Sequence, residues 1–479
     1  MKKDYDVVIV GGGPGGLAIG CLLSREGLSS AIIEKAPALG GRYRSVDFHG
    51  CRVDCGTHFL ASMVGPVENT SIYRMFKFLG LPLEYKIVPW AMGLVTQEKP
   101  GEVEYMAMDP KLGAANFFKF FAIATGVDMS DSAKGELMRV AEITADMSDE
   151  ECHKVVSMSF ADWIDQNVTD PIAKAVMYGM EPVVGASPKD INFGYVAKGF
   201  GAFKSHGATL IWYPKNDTLE GAFIAPMAKY YKEHGGEIIT NRTVTSIDID
   251  DGGTKGVVAS DLGNCFLLEE YGARAVVCAI PIFEAVAKNI IRPEFITEDW
   301  AESIRRCEAL SGPDLAGFFL LREKVIPTDG YGWIHIFDTD YGIPTYMGDM
   351  ALGSFTNATE LPGKQLVASL AVGSTPLCQF GLHPTMDKVR EAHRRWKESA
   401  EKAFPGFNKA IEYEGMNLQL NFTRYAYAVV DTELDIQSPN IQGLYFAGDS
   451  IWAVGDAMSD KCFQIAFPLC ERIVNYIRS

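Results

Sequence analysis

Glycines and an acid near the start of the chain have a spacing that suits the binding of a dinucleotide. Gly11, Gly13 and Gly16 satisfy the pattern G-x-G-x-x-G, and Gly15 lies in the same turn. In this pattern the first glycine permits a tight turn, the second lets the backbone approach a pyrophosphate, and the third lets a helix pack closely on a strand. Glu34 follows about 20 residues later, where a carboxylate can accept hydrogen bonds from both hydroxyls of an adenosine ribose. A structural turn alone would not require this acid, so the sequence predicts a dinucleotide site.

A strand, a helix and a second strand must position these residues. Residues 4–10 form an apolar, β-branched run that suits a strand buried on both faces. The predicted helix runs from the glycine turn to Gly27, and its N-terminus presents unpaired N–H groups to an anion. A second strand, residues 30–33, leads to Glu34 and Lys35, which are both candidates for binding the cofactor. This order of elements is stronger evidence than the glycines alone.

A second glycine motif, Leu39-Gly40-Gly41-Arg42, follows a few residues after Glu34. It resembles the second diglycine motif of the glutathione-reductase-type flavoproteins, in the branch that holds amine oxidases, phytoene desaturases and protoporphyrinogen oxidases. The resemblance implies that Arg42 reaches the pyrophosphate of FAD, and it favours FAD over NAD. The physical chemistry agrees, because two glycines admit the backbone and a planar guanidinium suits a bidentate contact to phosphate.

The resemblance assigns further residues to the FAD site. The turn formed by Gly56, Thr57 and His58 is similar to a family segment that passes the isoalloxazine ring. Val244 corresponds to a residue that contacts the adenine through its backbone, and Ala279 ends a strand near the cofactor. His58 is also a candidate base, although a histidine at this place can instead satisfy a hydrogen bond in the core.

A third motif lies at the other end of the chain, where an apolar strand ends in Gly448 and Asp449. The resemblance implies that this aspartate contacts the ribitol and pyrophosphate region of FAD. In the family the next helix points its N-terminus at the flavin N1–C2=O edge, where it stabilises negative charge. Met458 and Ser459 are the candidates for this donor turn. A carboxylate at Asp460 would repel reduced flavin, so we expect its side chain to cap the helix instead.

Composition bounds the class of protein. The chain has 479 residues, of which 47% are apolar and 22% charged, and its formal net charge is −17. This charge disfavours nucleic acids and anionic membrane surfaces as partners, so membrane contact is expected to be peripheral at most. The ten scattered cysteines indicate reduced thiols in a cytoplasmic protein and suggest no metal site. No signal peptide or membrane span is indicated. We interpret the phenylalanine-rich residues 117–121 as a core helix or pocket wall, with a membrane-leaning entry helix as the alternative.

The predicted fold class is α/β, with a Rossmann-like FAD-binding domain around a central parallel sheet and an α+β substrate domain. The resemblance implies that the chain crosses between the two domains several times. Residues 73–212 look mostly helical, and residues 385–404 predict one long helix. The expected FAD-binding domain comprises residues 1–72, 214–281 and 428–479, and the expected substrate-binding domain comprises residues 73–213 and 282–427.

The resemblance implies an FAD-dependent oxidoreductase that takes a hydride from a carbon of a largely apolar small molecule. Desaturation or dehydrogenation is favoured over amine oxidation for two reasons. The turn that carries His58 resembles the desaturases, and the tyrosine of the amine-oxidase aromatic cage is replaced near Met458. The alternatives are an amine or amino-acid oxidase, a non-redox flavin isomerase and a binding protein on the same FAD fold. The oligomeric state stays open.

The candidate catalytic residues are His58, Trp452 and Tyr425. Desaturation next to a carbonyl needs a base, for which the histidine or the tyrosine could serve. Trp452 falls where family members often place an aromatic side chain facing the substrate, although a tryptophan in the core or at a domain interface is an equal interpretation. No second dinucleotide motif follows a strand, so the expected electron acceptor is oxygen, a quinone or another carrier. Because no cysteine shortly precedes Gly443, we expect FAD to be bound non-covalently.

Overall fold

The protein is seen in a computed structural model that describes most of the chain. His58, Met458 and residues 117–121 lie outside the described residues. The described residues are 3–57, 60–62, 66–88, 90–95, 104–107, 129–178, 187–206, 210–215, 217–261, 263–264, 267–326, 333–338, 343–349, 362–371, 385–423, 425–454 and 459–479.

Strands account for much of the described chain, and several are longer than the sequence pattern suggests. Their bounds are β1 Lys3–Val10, β2 Ser30–Ile33, β3 Ser45–Phe48, β4 Cys51–Asp54, β5 Leu60–Ser62, β6 Tyr85–Val88, β7 Trp90–Val95, β8 Glu104–Ala107, β9 Leu210–Pro214, β10 Glu237–Ile239, β11 Arg242–Asp250, β12 Gly253–Asp261, β13 Leu267–Cys278, β14 Ser311–Leu321, β15 Trp333–Asp338, β16 Ile343–Asp349, β17 Gln365–Ala371, β18 Ile411–Thr423 and β19 Leu444–Phe446.

The helices are α1 Pro14–Arg25, α2 Ser71–Leu79, α3 Asp131–Ala145, α4 Asp149–Lys154, α5 Phe160–Asn167, α6 Pro171–Tyr178, α7 Phe193–His206, α8 Ala225–Glu233, α9 Ile282–Ala287, α10 Glu298–Ala309, α11 Met386–Ala403, α12 Phe407–Ala410 and α13 Asp460–Arg478. A short π-helical segment, Glu220–Ile224, leads directly into α8.

The central sheet joins strands from both ends of the chain. Its order is β10-β2-β1-β13-β12-β11, and β19 also pairs with β13. The strands β10, β2, β1, the end of β13 and β19 run parallel, whereas β13, β12 and β11 form an antiparallel meander. Val10 and Phe446 both pair with Cys278, so β1 and β19 end at the same edge of the sheet. Carboxyl ends of parallel strands are where ligands bind in such folds.

Helices cover the central sheet because its parallel strands are apolar on both faces. Val7, Val8 and Ile9 of β1 are fully buried, as a parallel strand between two layers requires. The first helix, α1, and the last helix, α13, pack against each other. Their contact is a second place where the two chain ends meet.

A second sheet is formed by strands from the middle of the chain, in the order β18-β14-β17-β16-β15-β7-β8. The long helix α11 covers one face of this sheet, since Val389 and Trp396 pack with Leu315 of β14. The predicted helix over residues 385–404 is therefore confirmed, with Thr385 as its N-cap. Two small sheets, β3-β4 and β5-β9-β6, complete the architecture.

The prediction that residues 73–212 are mostly helical is only partly right. Helices α2 to α7 lie in this span, but β6, β7 and β8 lie there too. Strand β7 pairs in parallel with β15, which lies far along the chain. A strand whose partner is so distant depends on tertiary pairing that local patterns do not contain.

Candidate functional site

The site is built where β1, β13 and β19 end side by side. Gly11 follows β1 and donates its N–H to the carbonyl oxygen of Ile33, at 2.9 Å. Ala279 follows β13 and donates to Val10 at 2.9 Å, and Ala447 follows β19 and donates to Cys278 at 3.0 Å. These bonds continue the parallel sheet by one residue on each strand, so three chain segments leave the sheet together.

Glycines line this meeting point, and at several of them close neighbours leave no room for a side chain. We call Gly11 to Gly16, Gly40, Gly41 and Gly448 the glycine cradle. A Cβ atom on Gly16 would lie 2.0 Å from the carbonyl oxygen of Gly11, and one on Gly15 would lie 3.0 Å from the backbone nitrogen of Gly448. Gly11 and Gly448 have φ values of 102° and 107°, which favour glycine.

The two N-terminal glycine motifs are joined by a backbone hydrogen bond. Gly40 donates its N–H to the carbonyl oxygen of Gly12 at 2.9 Å, and a Cβ on Gly41 would lie 3.2 Å from the Cα of Gly13. Helix α1 begins at this point with Gly13 as N-cap, and no side chain in the described part of the chain caps it. Its first N–H groups can therefore bind an anion such as a pyrophosphate.

Glu34 is held rigidly beside the cradle. Its carboxylate accepts hydrogen bonds from the backbone N–H of Gly12 and of Ala36, each at 2.8 Å, and the residue is 9% exposed. Each carboxylate oxygen has further acceptor capacity, which suits two ribose hydroxyls. Lys35 is exposed next to it. Strand β11 starts here, since Arg242 donates its N–H to the Glu34 carbonyl oxygen, and Val244 is buried two residues further on.

Arg42 and Asp449 form a two-point ion pair across the cradle. The two Nη atoms of Arg42 lie 2.6 Å from the two carboxylate oxygens of Asp449. The side chains are 29% and 11% exposed, so the pair is partly shielded from water. The sequence predicts a cofactor contact for each of the two residues. What the structure shows is that the two side chains bind each other. This pair ties the diglycine motif to the far end of the chain.

The turn after β4 is attached to the diglycine segment. Thr57 donates its N–H to the carbonyl oxygen of Arg42 at 3.0 Å, and Gly56 is buried next to it. Asp54 anchors the turn, because its carboxylate accepts hydrogen bonds from the Ser45 hydroxyl at 2.8 Å and from the Leu219 N–H at 3.1 Å. Burial raises the pKa of Asp54 to about 8. Gly56 and Thr57, which the resemblance places beside the isoalloxazine ring, thus lie next to Arg42 in the structure.

Trp452 lies on a constrained turn directly after Asp449, and we call residues 450–454 the Trp452 turn. Trp452 has a φ of 58°, which is rare for a residue with a bulky side chain, and its ring is partly exposed. Its N–H donates to the carbonyl oxygen of Leu434 at 3.0 Å. The N–H groups of Ala453 and Val454 donate to Oε1 of Glu433 at 2.5 and 3.2 Å. Strained backbone that is held so closely is common at functional sites.

Tyr425 is buried in the protein interior and is not accessible to solvent. Its side chain is fully buried, and its hydroxyl oxygen accepts the N–H of Leu434 at 2.8 Å. Burial raises the pKa of this phenol well above its ordinary value. A phenol in this state is a poor proton acceptor, so its contribution is to hold the chain next to the Trp452 turn.

Asp460 caps a helix, but a different one from that expected. Its carboxylate accepts the N–H groups of Ser71 and Ile72 at 2.8 and 2.7 Å, so it caps α2 rather than its own helix, α13. A negative charge at the N-terminus of a helix is stabilising. Ser459, the N-cap residue of α13, is partly exposed, and its side chain makes no capping hydrogen bond there.

Residues that no motif singles out also belong to this site. His153 of α4 donates from Nδ1 to Oε2 of Glu433 at 2.8 Å, and its ring centroid is 6.0 Å from that of Trp452. Lys461 of α13 is fully buried and donates to the Trp452 carbonyl oxygen. Asn192 donates to the carbonyl oxygens of Ala428 and Ala453. Their signal in the sequence is weak, because each acts on a segment that is distant along the chain or lies in a loop.

Known proteins match short parts of the chain in sequence. Residues 9–79 match the family of NAD(P)-binding Rossmann-like domains. The chain is 44% identical over 60 residues to a 4,4'-diapophytoene desaturase (4,4'-diapolycopene-forming) of Methylomonas sp, over 12% of each chain. It is 40% identical over 88 residues to the flavin-containing amine oxidase B of Sus scrofa, over 18% of this chain and 16% of that protein. The matched segments span less than a fifth of the length of these curated relatives.

Solved structures share the fold over nearly the whole chain. An oxidoreductase from Methanosarcina mazei has a TM-score of 0.69 at 16% identity, over 97% of this chain and 99% of its own. Cyclohexylamine oxidase from Brevibacterium oxydans IH-35A has a TM-score of 0.65 at 17% identity, over 99% of this chain and 100% of its own. The solved structures confirm the predicted α/β fold with its Rossmann-like domain. The sequence matches confirm the predicted resemblance to desaturases and amine oxidases.

The residues present fit FAD as the dinucleotide. The glycine cradle has room for a pyrophosphate, the Glu34 carboxylate is fixed beside it with acceptor capacity for ribose hydroxyls, and the chain ends share one sheet edge. This geometry and the family likeness together support FAD as the cofactor, as the sequence predicts. Among the helices of the described ranges, none combines the length and the hydropathy needed to cross a membrane.

Proposed function

We propose that the chain is an FAD-dependent oxidoreductase that removes a hydride from a carbon of a largely apolar small molecule, by desaturation or dehydrogenation. One observation carries the proposal: Gly15 lies against Gly448, and Arg42 binds Asp449, so both chain ends form one site. A single long ligand that spans both ends accounts for this construction. FAD is bound non-covalently in this proposal, and oxygen, a quinone or another carrier accepts the electrons.

FAD, when bound, supplies the redox chemistry by accepting the hydride. The chain binds and orients it. The N-terminus of α1 and the backbone at Gly13 and Gly41 would hold the pyrophosphate, and the Arg42 guanidinium would contribute positive charge beside it. Glu34 would accept hydrogen bonds from the ribose hydroxyls, and the backbone at Val244 would contact the adenine. Ala279, Gly56 and Thr57 would border the ring system.

The first turn of α13 follows the Trp452 turn along the chain. The dipole of this helix places partial positive charge at its N-terminus. Such charge stabilises the negative charge that develops when a bound flavin is reduced. Trp452, with a partly exposed ring, is the described candidate for contact with the substrate. His58 and Met458 stay candidates from the sequence. Tyr425 acts by holding the neighbouring backbone.

Each of the two proposed domains contains one of the two large sheets. Residues 1–72, 214–281 and 428–479 form the FAD-binding domain, whose strands supply the central sheet. Residues 73–213 and 282–427 form the substrate-binding domain, which contains the second sheet. Amine or amino-acid oxidation is the second candidate function, favoured by the sequence match to amine oxidase B and by the fold shared with cyclohexylamine oxidase.

Purified protein tests the proposal directly. We expect a yellow protein whose chromophore enters the supernatant after acid precipitation, as non-covalent FAD does. Under anaerobic conditions, cyclic ketones and unsaturated hydrocarbons are expected to bleach the flavin absorbance, with the dehydrogenated product identified by mass spectrometry. Bleaching by amines alone would select the second candidate. A colourless protein that FAD does not reconstitute would contradict both.

A further inference from the structure

Lys461 places a charged side chain in the protein interior, where burying a charge is energetically unfavourable. The residue is fully buried at the start of α13, and lysine is almost never fully buried unless it is paired. Burial lowers the pKa of its ammonium group to about 8. A buried charge of this kind persists only if specific partners hold it, so its surroundings define its role.

The groups that face Lys461 come from several distant elements. The carboxylates of Asp449 and Glu433 oppose the effect of burial and favour the charged form, and the thiols of Cys307 and Cys462 are also close. The ammonium lies 5.6 Å from the centroid of the Tyr425 ring, within the range of a cation–π contact. Asp449 is itself bound by Arg42, and Glu433 by His153.

The ammonium makes its hydrogen bond to the carbonyl oxygen of Trp452. The N–H of the same residue is bound by Leu434, so both peptide groups of Trp452 are fixed. Fixing both groups is what a non-glycine residue at a φ of 58° needs, because this conformation is unfavourable by itself. Removal of either contact lets the turn relax toward an ordinary conformation and move the indole.

We propose that Lys461 is a positioning residue: its buried ammonium holds the Trp452 carbonyl group and thereby fixes the indole of Trp452 on the substrate side of the site. The proposal rests on the proposed function in taking Trp452 to face the substrate. The contact itself is independent of any bound cofactor, and a measurement on the indole separates the two.

The test uses full-length holoprotein in which all seven tryptophans are replaced by 5-fluorotryptophan, observed by ¹⁹F NMR. The Trp452 resonance is identified by its loss in Trp452→Phe. We expect Lys461→Met, which keeps the length of the side chain, to shift and broaden this resonance, and Lys461→Arg to restore much of the wild-type spectrum. Arg472→Met is the matched control, because Arg472 lies on the same helix in an exposed pair with Asp435 and should leave the resonance unchanged.

A pH titration of the same resonance gives the signature of the ammonium. We expect a midpoint near 8 in the wild type, in His153→Gln and in Arg472→Met, and no such midpoint in Lys461→Met. Loss of the midpoint in His153→Gln would assign the titration to the histidine and overturn the proposal. An unchanged Trp452 resonance in folded Lys461→Met would overturn it too.

Kinetics then distinguish the positioning role from the proposed function. We expect kcat/KM to fall about 10- to 100-fold in Lys461→Met, as for a small displacement of a binding group, with FAD affinity changed less than about threefold. Lys461→Met and Trp452→Ala should be strongly non-additive. If the NMR result holds and no oxidoreductase substrate is found, the contact stands and the proposed function fails. If FAD is reduced by substrate equally fast in Lys461→Met, the positioning role fails alone.

Discussion

The glycine cradle and the Trp452 turn lie next to each other but are built in opposite ways. In the cradle the backbone packs so closely that a Cβ atom on Gly16 or on Gly15 would lie within 3.0 Å of a backbone atom. The Trp452 turn is held by side chains from elsewhere, among them Glu433, Lys461 and Asn192. At Gly15 and Gly16 the first region has no space for a side chain, whereas the second depends on side-chain contacts that a substitution can change. We infer that the cradle determines cofactor binding and that the Trp452 turn adapts the same fold to a substrate.

Substitution inside the cradle gives the largest expected effect. In Gly16→Ala the new Cβ would lie 2.0 Å from the Gly11 carbonyl oxygen, so backbone must shift. We expect a loss of about 3 kcal/mol or more in unfolding free energy and at least a 100-fold loss of FAD affinity. Gly135→Ala in α3 is the control, since nothing lies within 4 Å of its Cβ and helix propensity should raise stability slightly. Denaturant titration and flavin fluorescence measure both. Wild-type stability and FAD affinity in Gly16→Ala would contradict the contrast between the cradle and the Trp452 turn.

Removal of the charge pair across the cradle ranks second. Arg42→Met leaves the Asp449 carboxylate partly buried without its partner, which is expected to cost about 2 kcal/mol after allowance for partial exposure. FAD affinity should fall about 10- to 100-fold in calorimetric titration. Arg52→Met is the matched control, because Arg52 forms an exposed pair with Glu220. Equal effects of both substitutions would show that the pair has no special role.

The buried carboxyl under the Gly56 turn predicts a pH dependence. Burial raises the pKa of Asp54 to about 8, so the folded protein retains a proton that the unfolded chain loses near its ordinary pKa. The contribution of this group to stability is full at low pH and is lost as pH rises through about 8. Between pH 6 and pH 8 we expect unfolding free energy to fall by about 2 kcal/mol more in the wild type than in Asp54→Asn. Parallel pH profiles from denaturant titration would contradict this assignment.

The helix cap made by Asp460 gives the smallest expected effect. In Asp460→Asn the amide oxygen can still accept one N–H of α2, but the negative charge is lost. We expect a loss of about 1 kcal/mol in unfolding free energy, with flavin affinity nearly unchanged. Because the Asp460 carboxylate binds the N-terminus of α2, the substitution should affect stability rather than flavin binding. A large change in flavin affinity in this variant would place Asp460 in the cofactor site.

Sequence reasoning worked where geometry is local. The order of β1, the glycine turn, α1, β2 and Glu34 follows from sterics and hydrogen bonds within a short stretch, and the structure shows these elements in the predicted order. The same holds for the long helix α11, whose apolar spacing is regular.

Prediction failed where a partner is distant along the chain. Strands β6 to β8 look helical by pattern and are strands because of tertiary pairing. Asp460 caps a helix that starts at Ser71, and His153 reaches Glu433, and no short-range pattern encodes either contact. No motif singles out Lys461, although it is fully buried. Such residues carry the region that we associate with the substrate, which is why the substrate is harder to predict than the cofactor.

The central claim is that both ends of the chain bind one FAD molecule, and a crystal structure of the yellow holoprotein tests it most directly. We predict one FAD per chain, with its pyrophosphate between the Gly13 turn and the Gly448–Asp449 segment and its ribose on Glu34. Electron density for FAD that touches only one of these chain ends, or that lies elsewhere, would contradict the account.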